Sequence, residues 1–204
     1  ASDSVGNSSA ATAAFTFAIF NTQDAVVAST STKLISSQAS LILTGTKRIN
    51  GTGNQLDNTI IGNASNNRLT GGLGKDSLID TTTSDSDTFA YDSLVESLLG
   101  VGNKSFDVIT GFNKNDRILA PFTVETERLT SSTGQASALS SSAIGSVLTT
   151  SAFASNAVAA FTAKDVTGTF IAMNDGRAGF QADSDAIIHL QNYTISSQNF
   201  VDFL

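Results

Sequence analysis

The chain has 204 residues, 40 % of them apolar and 13 of them Phe, which suits one or two small domains with a packed core and excludes a disordered chain. It has no Cys and so no disulfide brace, and its formal charge of −7 with only 11 Lys and Arg argues against nucleic acid or an anionic membrane as partner. No apolar run is long enough to span a membrane. The acidic balance is compatible with bound cations and an extracellular setting. Ala1-Ser2-Asp3 carries neither an initiator Met nor the charged start and apolar core of a signal peptide, so a processed product or a piece of a longer chain is expected.

In chain order, Ala14–Phe20 and Thr32–Leu43 are strand-like, the second with Leu41 and Leu43 alternating. This N-terminal segment (1–43) is expected to cap the open end of the adjoining domain or to pair with a partner's sheet edge. Between Gly53 and Ile79 a nine-residue unit occurs three times. Gly53, Gly62 and Gly71 open the copies; Asn58, Asn67 and Asp76 take the sixth place; Ile60, Leu69 and Leu78 take the eighth. Six residues make a turn and three a strand, with the eighth side chain pointing inward. Two copies make one coil, so each turn should stack on the turn eighteen residues away, setting Asp76 near Asn58. Strict spacing would then bury Asp87, at high cost. A two-residue insertion within Asp80–Ser84 repairs the pattern, making Asp87 sixth and Phe89 eighth, and setting Asp87 near Asn67.

The third copy, Gly71-Gly72-Leu73-Gly74-Lys75-Asp76-Ser77-Leu78-Ile79, fits G-G-x-G-x-D-x-U-x and resembles the Ca²⁺-binding nonapeptide of RTX proteins. Asp87-Thr88-Phe89-Ala90-Tyr91 and the stretch Asp107–Ile118 resemble the segments that close such a roll. The resemblance implies turns whose carbonyls and carboxylates converge on a hard cation. The ligand positions it marks are Gly53, Asn58, Gly62, Asn67, Gly71, Leu73, Asp76, Asp80, Asp85 and Asp87, with Asp57, Asp107 and Asp116 behind them. Asp76 and Asp87 are the strongest. Asn at position six either offers a neutral oxygen or ladders with its own kind and binds nothing, and Asp107 and Asp116 either bind Ca²⁺ or cap turns.

Further on, Ser140–Leu148 has the pattern of a short Ser-capped helix. Asn156–Ala163, Thr167–Met173 and Ala186–Leu190 look like strands, with a turn at Asn174-Asp175-Gly176 and an apolar tail at Phe200–Leu204. The run Thr169–Ile188, with Ala143-Ile144, Ala152–Asn156 and Ala160–Thr162, resembles the bluetail module found with RTX repeats in secreted cyanobacterial proteins. Asp175, Asp183 and Asp185 flank a Gly-containing loop there. They either hold a further Ca²⁺ or belong to a plain hairpin turn with the last two in solvent. His189 is the only histidine, in an apolar alternation; no H-E-x-x-H, Cys nucleophile or G-x-S-x-G is present, so an enzyme is not expected.

The expected fold is mainly β: a short parallel β-roll over 44–122, then a β-rich C-terminal domain over 123–204 with one or two short helices. The expected function is that of a secreted, Ca²⁺-binding structural module of the RTX type, folded by Ca²⁺, in a cell surface, matrix, fibre or adhesin. Its partners would be calcium ions, copies of itself or other surface components. The alternative is the export and folding module of a larger secreted enzyme, whose Asp202-Phe203-Leu204 end resembles that of type I secretion substrates. A third reading is a binding domain that takes sugars through Ca²⁺.

Overall fold

The computed structural model describes residues 25–100, 105–125 and 128–204. The strand-like segment Ala14–Phe20 lies outside them. Ten short strands run in sequence: β1 (Ala25–Ala28), β2 (Thr32–Lys33), β3 (Ser40–Leu43), β4 (Gly51–Thr52), β5 (Thr59–Ile61), β6 (Arg68–Thr70), β7 (Ser77–Ile79), β8 (Thr88–Ala90), β9 (Asp107–Thr110) and β10 (Arg117–Leu119). Odd strands pair in parallel in one sheet and even strands in parallel in a second. The chain is therefore a flattened coil, two strands to a turn. The alternation starts at β1, upstream of the glycine repeat that first signals it.

The eighth-place residues explain the winding. Leu41, Ile60, Leu78, Ile109 and Leu190 form one cross-strand ladder. Leu69, Phe89, Ile118 and Phe203 form the other. All but Phe203 are fully buried, and the two ladders face each other as one core. Side chains alternate along a strand, so the flanking positions reach the outside.

The C-terminal part extends both sheets. After β11 (Arg128–Leu129), β12 (Gln135–Ala136) and a single short helix, α1 (Ser141–Gly145), come β13 (Val158–Ala163), β14 (Val166–Met173), β15 (Ala186–Gln191) and β16 (Val201–Phe203). Strand β15 adds in parallel to β9, and β14 and β13 join antiparallel beyond it; β16 adds in parallel to β10. Among the described residues the sheets hold nine and seven strands.

The nine-stranded sheet is covered on both faces here. Ile171, Met173, Ile188 and Leu190 face the shared core. Phe161, Phe170 and Ile187 face a second cluster with Ile144, Leu148, Phe153, Leu99 and Phe106. Double burial accounts for the unbroken apolar run Ala186-Ile187-Ile188, which alternation alone would not produce. Ser140 caps α1 by accepting from the Ala143 N–H at 3.3 Å, as the sequence suggests. The turn expected at Asn174-Asp175-Gly176 is different: residues 174–185 form one long connection between β14 and β15, and Gly176 lacks the positive φ of a tight primed hairpin.

Because one core joins the coil to the C-terminal strands, Leu78→Ala and Ile188→Ala should each cost about 2–5 kcal/mol. Both should leave a single denaturant transition, monitored by circular dichroism and by hydrogen exchange of β5 and β14 amides. Two separate transitions would show that the halves do not share stability.

Candidate metal centre

Each turn's sixth residue bonds to the coil beside it. The Asn58 N–H donates to Asp76 Oδ1 at 2.7 Å, and the Asp76 N–H donates to Asp107 Oδ1 at 2.8 Å. On the opposite edge the Asn67 N–H donates to Asp87 Oδ1 at 2.7 Å, and the Asp87 N–H to Asp116 Oδ1 at 2.8 Å. The expected neighbours Asp76–Asn58 and Asp87–Asn67 are thus in contact. The second pair is twenty residues apart instead of eighteen, as the inserted pair of residues requires.

The first place explains the glycines. A Cβ on Gly53 would overlap the Asn58 amide, and one on Gly71 the Asp76 carboxylate; one on Gly62 would press on Asn67 Oδ1. The sixth side chain folds back against the opening residue of its own turn. Asp80 and Tyr91 stand directly after β7 and β8, in the place that Gly53, Gly62 and Gly71 hold after β4, β5 and β6. Both of those turns are longer than the glycine-opened ones.

The Asn turns close on themselves. Asn58 Oδ1 accepts from the Asn54 N–H and Asn67 Oδ1 from the Asn63 N–H, at 2.7 and 2.8 Å. The Asn67 amide donates to the Ile49 carbonyl at 2.6 Å. The carbonyl oxygens of Asn58 and Asn67 are therefore committed to backbone donors. The Asp116 turn also closes, its Oδ2 accepting from the Asn113 N–H at 2.8 Å, but the Asp76 and Asp87 turns do not. Asp76 Oδ2, Asp87 Oδ2 and Asp107 Oδ2 are buried without a hydrogen-bond partner. The Tyr91 hydroxyl, also buried, lies beside Asp107 without reaching hydrogen-bond geometry. Leaving such groups unpaired costs about 1–3 kcal/mol each, and more when charged.

One cluster concentrates this. Ligand atoms of Asp80, Asp85 and Asp87 all lie within 4.8 Å of one another. Asp87 is 0 % exposed and Asp80 is buried, while Asp85 is half-buried. Asp85 Oδ1 accepts from the Thr82 hydroxyl, and its Oδ2 is a fourth unpartnered carboxylate oxygen. Asn113 donates to Asp80 Oδ2 at 3.1 Å and to Asp116 Oδ2 at 2.9 Å. No Lys or Arg among the described residues pairs with any of these carboxylates. Burial pushes Asp87 up to about 8, Asp116 to about 7 and Asp80 to about 6, with neighbouring carboxylates adding to it. On the other edge burial raises Asp76 to about 7 and holds Asp107 well above the carboxylate range.

These donors fit a hard divalent cation, which takes several carboxylate and carbonyl oxygens. The unpartnered oxygens are buried, and no Lys or Arg among the described residues balances their charge. Asp80, Asp85 and Asp87 are the residues that would hold one ion, and Asp76 with Asp107 mark a second place with the same need.

Other expected ligands lie elsewhere. Asp57 is exposed and accepts from the Lys75 N–H at 2.9 Å; Leu73 is 40 % exposed. In the 174–185 loop, Asp185 is buried and staples the connection, accepting from the N–H groups of Asp175 and Gln181 at 2.9 and 2.6 Å. Asp175 accepts from Arg177, and the Asp183 side chain is 85 % exposed. Of the pair expected in solvent, only Asp183 is there. His189 stacks on Phe170 at 4.4 Å, its Nε2 2.9 Å from the Thr167 carbonyl, and burial lowers its pKa. Tyr91 on one edge, and Thr82 and Asn113 on the other, take part in these clusters without having been singled out by the repeat. Tyr91 in the glycine place was the available signal. The chain matches no model of a known protein family, and no curated protein is similar to it.

Two outcomes are expected of the metal-free protein. Gly71→Ala should cost at least ~2 kcal/mol in urea denaturation, through overlap with the Asp76 carboxylate, whereas Gly145→Ala, with open space around it, should be neutral or stabilising. Raised carboxyl pKa values mean that folding takes up protons. Their contribution is fully present below about pH 3.8 and lost as pH rises through 6 to 8. In chelator the melting temperature should therefore fall between pH 5 and pH 8.5; a flat profile would contradict the burial of these acids.

Proposed function

We propose that the chain is a secreted, Ca²⁺-binding structural module of the RTX type that Ca²⁺ brings to its finished fold. The observation that supports it most is the set of buried, unpartnered carboxylate oxygens on stacked turns, concentrated at Asp80, Asp85 and Asp87. The glycine-opened repeat supports it as well, because the first and sixth places are tied together sterically. In this reading the ion supplies positive charge between carboxylates that otherwise repel or take up protons. The protein's own part is to pre-form the turn: the ladder of N–H donors fixes one oxygen of each Asp and leaves the other for the ion. Ca²⁺ is scarce inside cells and abundant outside, so a chain of this design completes its fold after export. Its place is a cell surface or extracellular assembly.

Calorimetric titration of EGTA-stripped protein should show Ca²⁺ binding that releases protons near neutral pH. At a hundred times the dissociation constant, one site should raise the melting temperature by roughly 5–10 °C. Asp87→Asn should remove most of that gain, and Asp183→Asn should leave it intact. Unchanged melting with and without Ca²⁺ would refute the proposal.

A further inference from the structure

Six large apolar side chains are exposed among the described residues, and four of them, Ile35, Leu56, Leu73 and Val95, lie on one edge of the coil. Each sits in the connection that leads from an even strand to the next odd one, before β3, β5, β7 and β9. These connections stack. The Asn54 side-chain amide donates to the Ile35 carbonyl at 2.6 Å, and the Leu73 N–H donates to the Asn54 carbonyl at 3.0 Å. Val95 shares a hollow with Asp57, Gly74 and Lys75. The four side chains form a stripe about 14 Å long, one per coil at the usual strand spacing. The opposite edge, residues 44–50, 62–67, 80–87 and 111–116, exposes no large apolar side chain.

Charges beside the stripe alternate from coil to coil. Lys33 stands two residues before Ile35, Asp57 directly after Leu56, Lys75 two residues after Leu73, and Glu96 directly after Val95. Lys33, Asp57 and Lys75 are exposed, and none of the four makes an ion pair among the described residues. The order is plus, minus, plus, minus. A second copy laid antiparallel, with a two-fold axis between the second and third coils, sets Leu56 against Leu73 and Ile35 against Val95. The same operation sets Asp57 against Lys75 and Lys33 against Glu96, so every charge meets its opposite. A copy laid parallel in register would set like charge on like. The strand-like segment Ala14–Phe20 has no charged residue and so offers nothing to Asp57 or Lys75. A row one side chain wide buries less than the roughly 1,200 Å² of a standard interface, so the pairing is weak and reversible.

We propose that two copies of the chain pair antiparallel along this edge as an isologous dimer. The apolar stripe supplies the contact, and the Asp57–Lys75 pairs across the two-fold axis set its direction. One edge of the coil then joins two molecules, while the other carries the Asp80, Asp85 and Asp87 cluster.

The test is sedimentation equilibrium of the whole chain from micromolar to millimolar concentration, in Ca²⁺ and again in EGTA at a temperature where the protein stays folded. A reversible dimer is expected in that range. Asp57→Lys and Lys75→Asp should each weaken it about tenfold or more, because like charges then meet twice across the axis. Both changes in one chain should restore it, since each charge again meets its opposite. Leu73→Ser should weaken the dimer without lowering the melting temperature, and Lys47→Asp, on the opposite edge, should leave it unchanged. A monomer at every concentration would overturn the proposal and would point to residues 1–24 as the stripe's cover. A dimer indifferent to Asp57→Lys, Lys75→Asp and Leu73→Ser, in proteins that melt normally, would overturn it too. So would a well-folded double variant that fails to recover the dimer. Sedimentation does not report on the ion, so a failed dimer and a failed Ca²⁺ titration remain separate results.

Discussion

The bond from the backbone N–H of one sixth-place residue to the side-chain oxygen of the next coil is the interaction on which the rest of the molecule depends. It sets the pitch of the coil, because each turn must bring its Asn or Asp within 2.7–2.8 Å of the turn beside it. It requires glycine at the start of a short turn, since the same side chain folds back there. It also fixes where negative charge accumulates. Asn58 and Asn67 finish their own hydrogen bonding, whereas Asp76, Asp87 and Asp107 each leave a second oxygen buried and unpaired; Asp116 escapes this because Asn113 donates to its second oxygen. The difference between the early and late coils is this exchange of Asn for Asp.

Length changes in the turns then turn a repetitive scaffold into a site. In the turn with two extra residues between Asp80 and Asp87 a carboxylate stands in the place of a glycine, and Asp85 lies beside it. On the other edge a longer excursion before Asp107 admits Tyr91 in the glycine place and covers the outer face of β15 with Leu99 and Phe106. The carboxylates gathered this way resist ionisation while they are alone, and in the proposed reading a divalent cation would remove that resistance. On that proposal protons and cation would compete for the same buried oxygens, and the finished state would respond to both pH and chelation.

Much of the coil was legible because its signal is local and periodic. Gly53, Gly62 and Gly71 mark the turns, and Ile60, Leu69 and Leu78 mark the inward face. The misfit of Asp87 under strict spacing located the insertion. What the repeat could not show is pairing between different parts of the chain. The joining of β15 to β9 and of β16 to β10 rests on burial of both faces of one sheet, a property of the assembled molecule. The first coil, over Ala25–Leu43, lacks the glycine openings and so left no repeat to trace. The staple made by Asp185 was equally hidden, because its partners, the N–H groups of Asp175 and Gln181, are ten and four residues away. The Ile35–Leu56–Leu73–Val95 stripe exists only once the turns stack, its members taking different places in their turns.

The account turns on whether the second carboxylate oxygen of Asp87 meets a cation. Anomalous scattering from crystals grown in Ca²⁺ addresses this directly. An anomalous peak about 2.3–2.6 Å from Asp87 Oδ2, with Asp80 and Asp85 also coordinating, is the predicted result. An ordered water or a backbone N–H at that oxygen, with no anomalous peak at either edge of the coil, would contradict it.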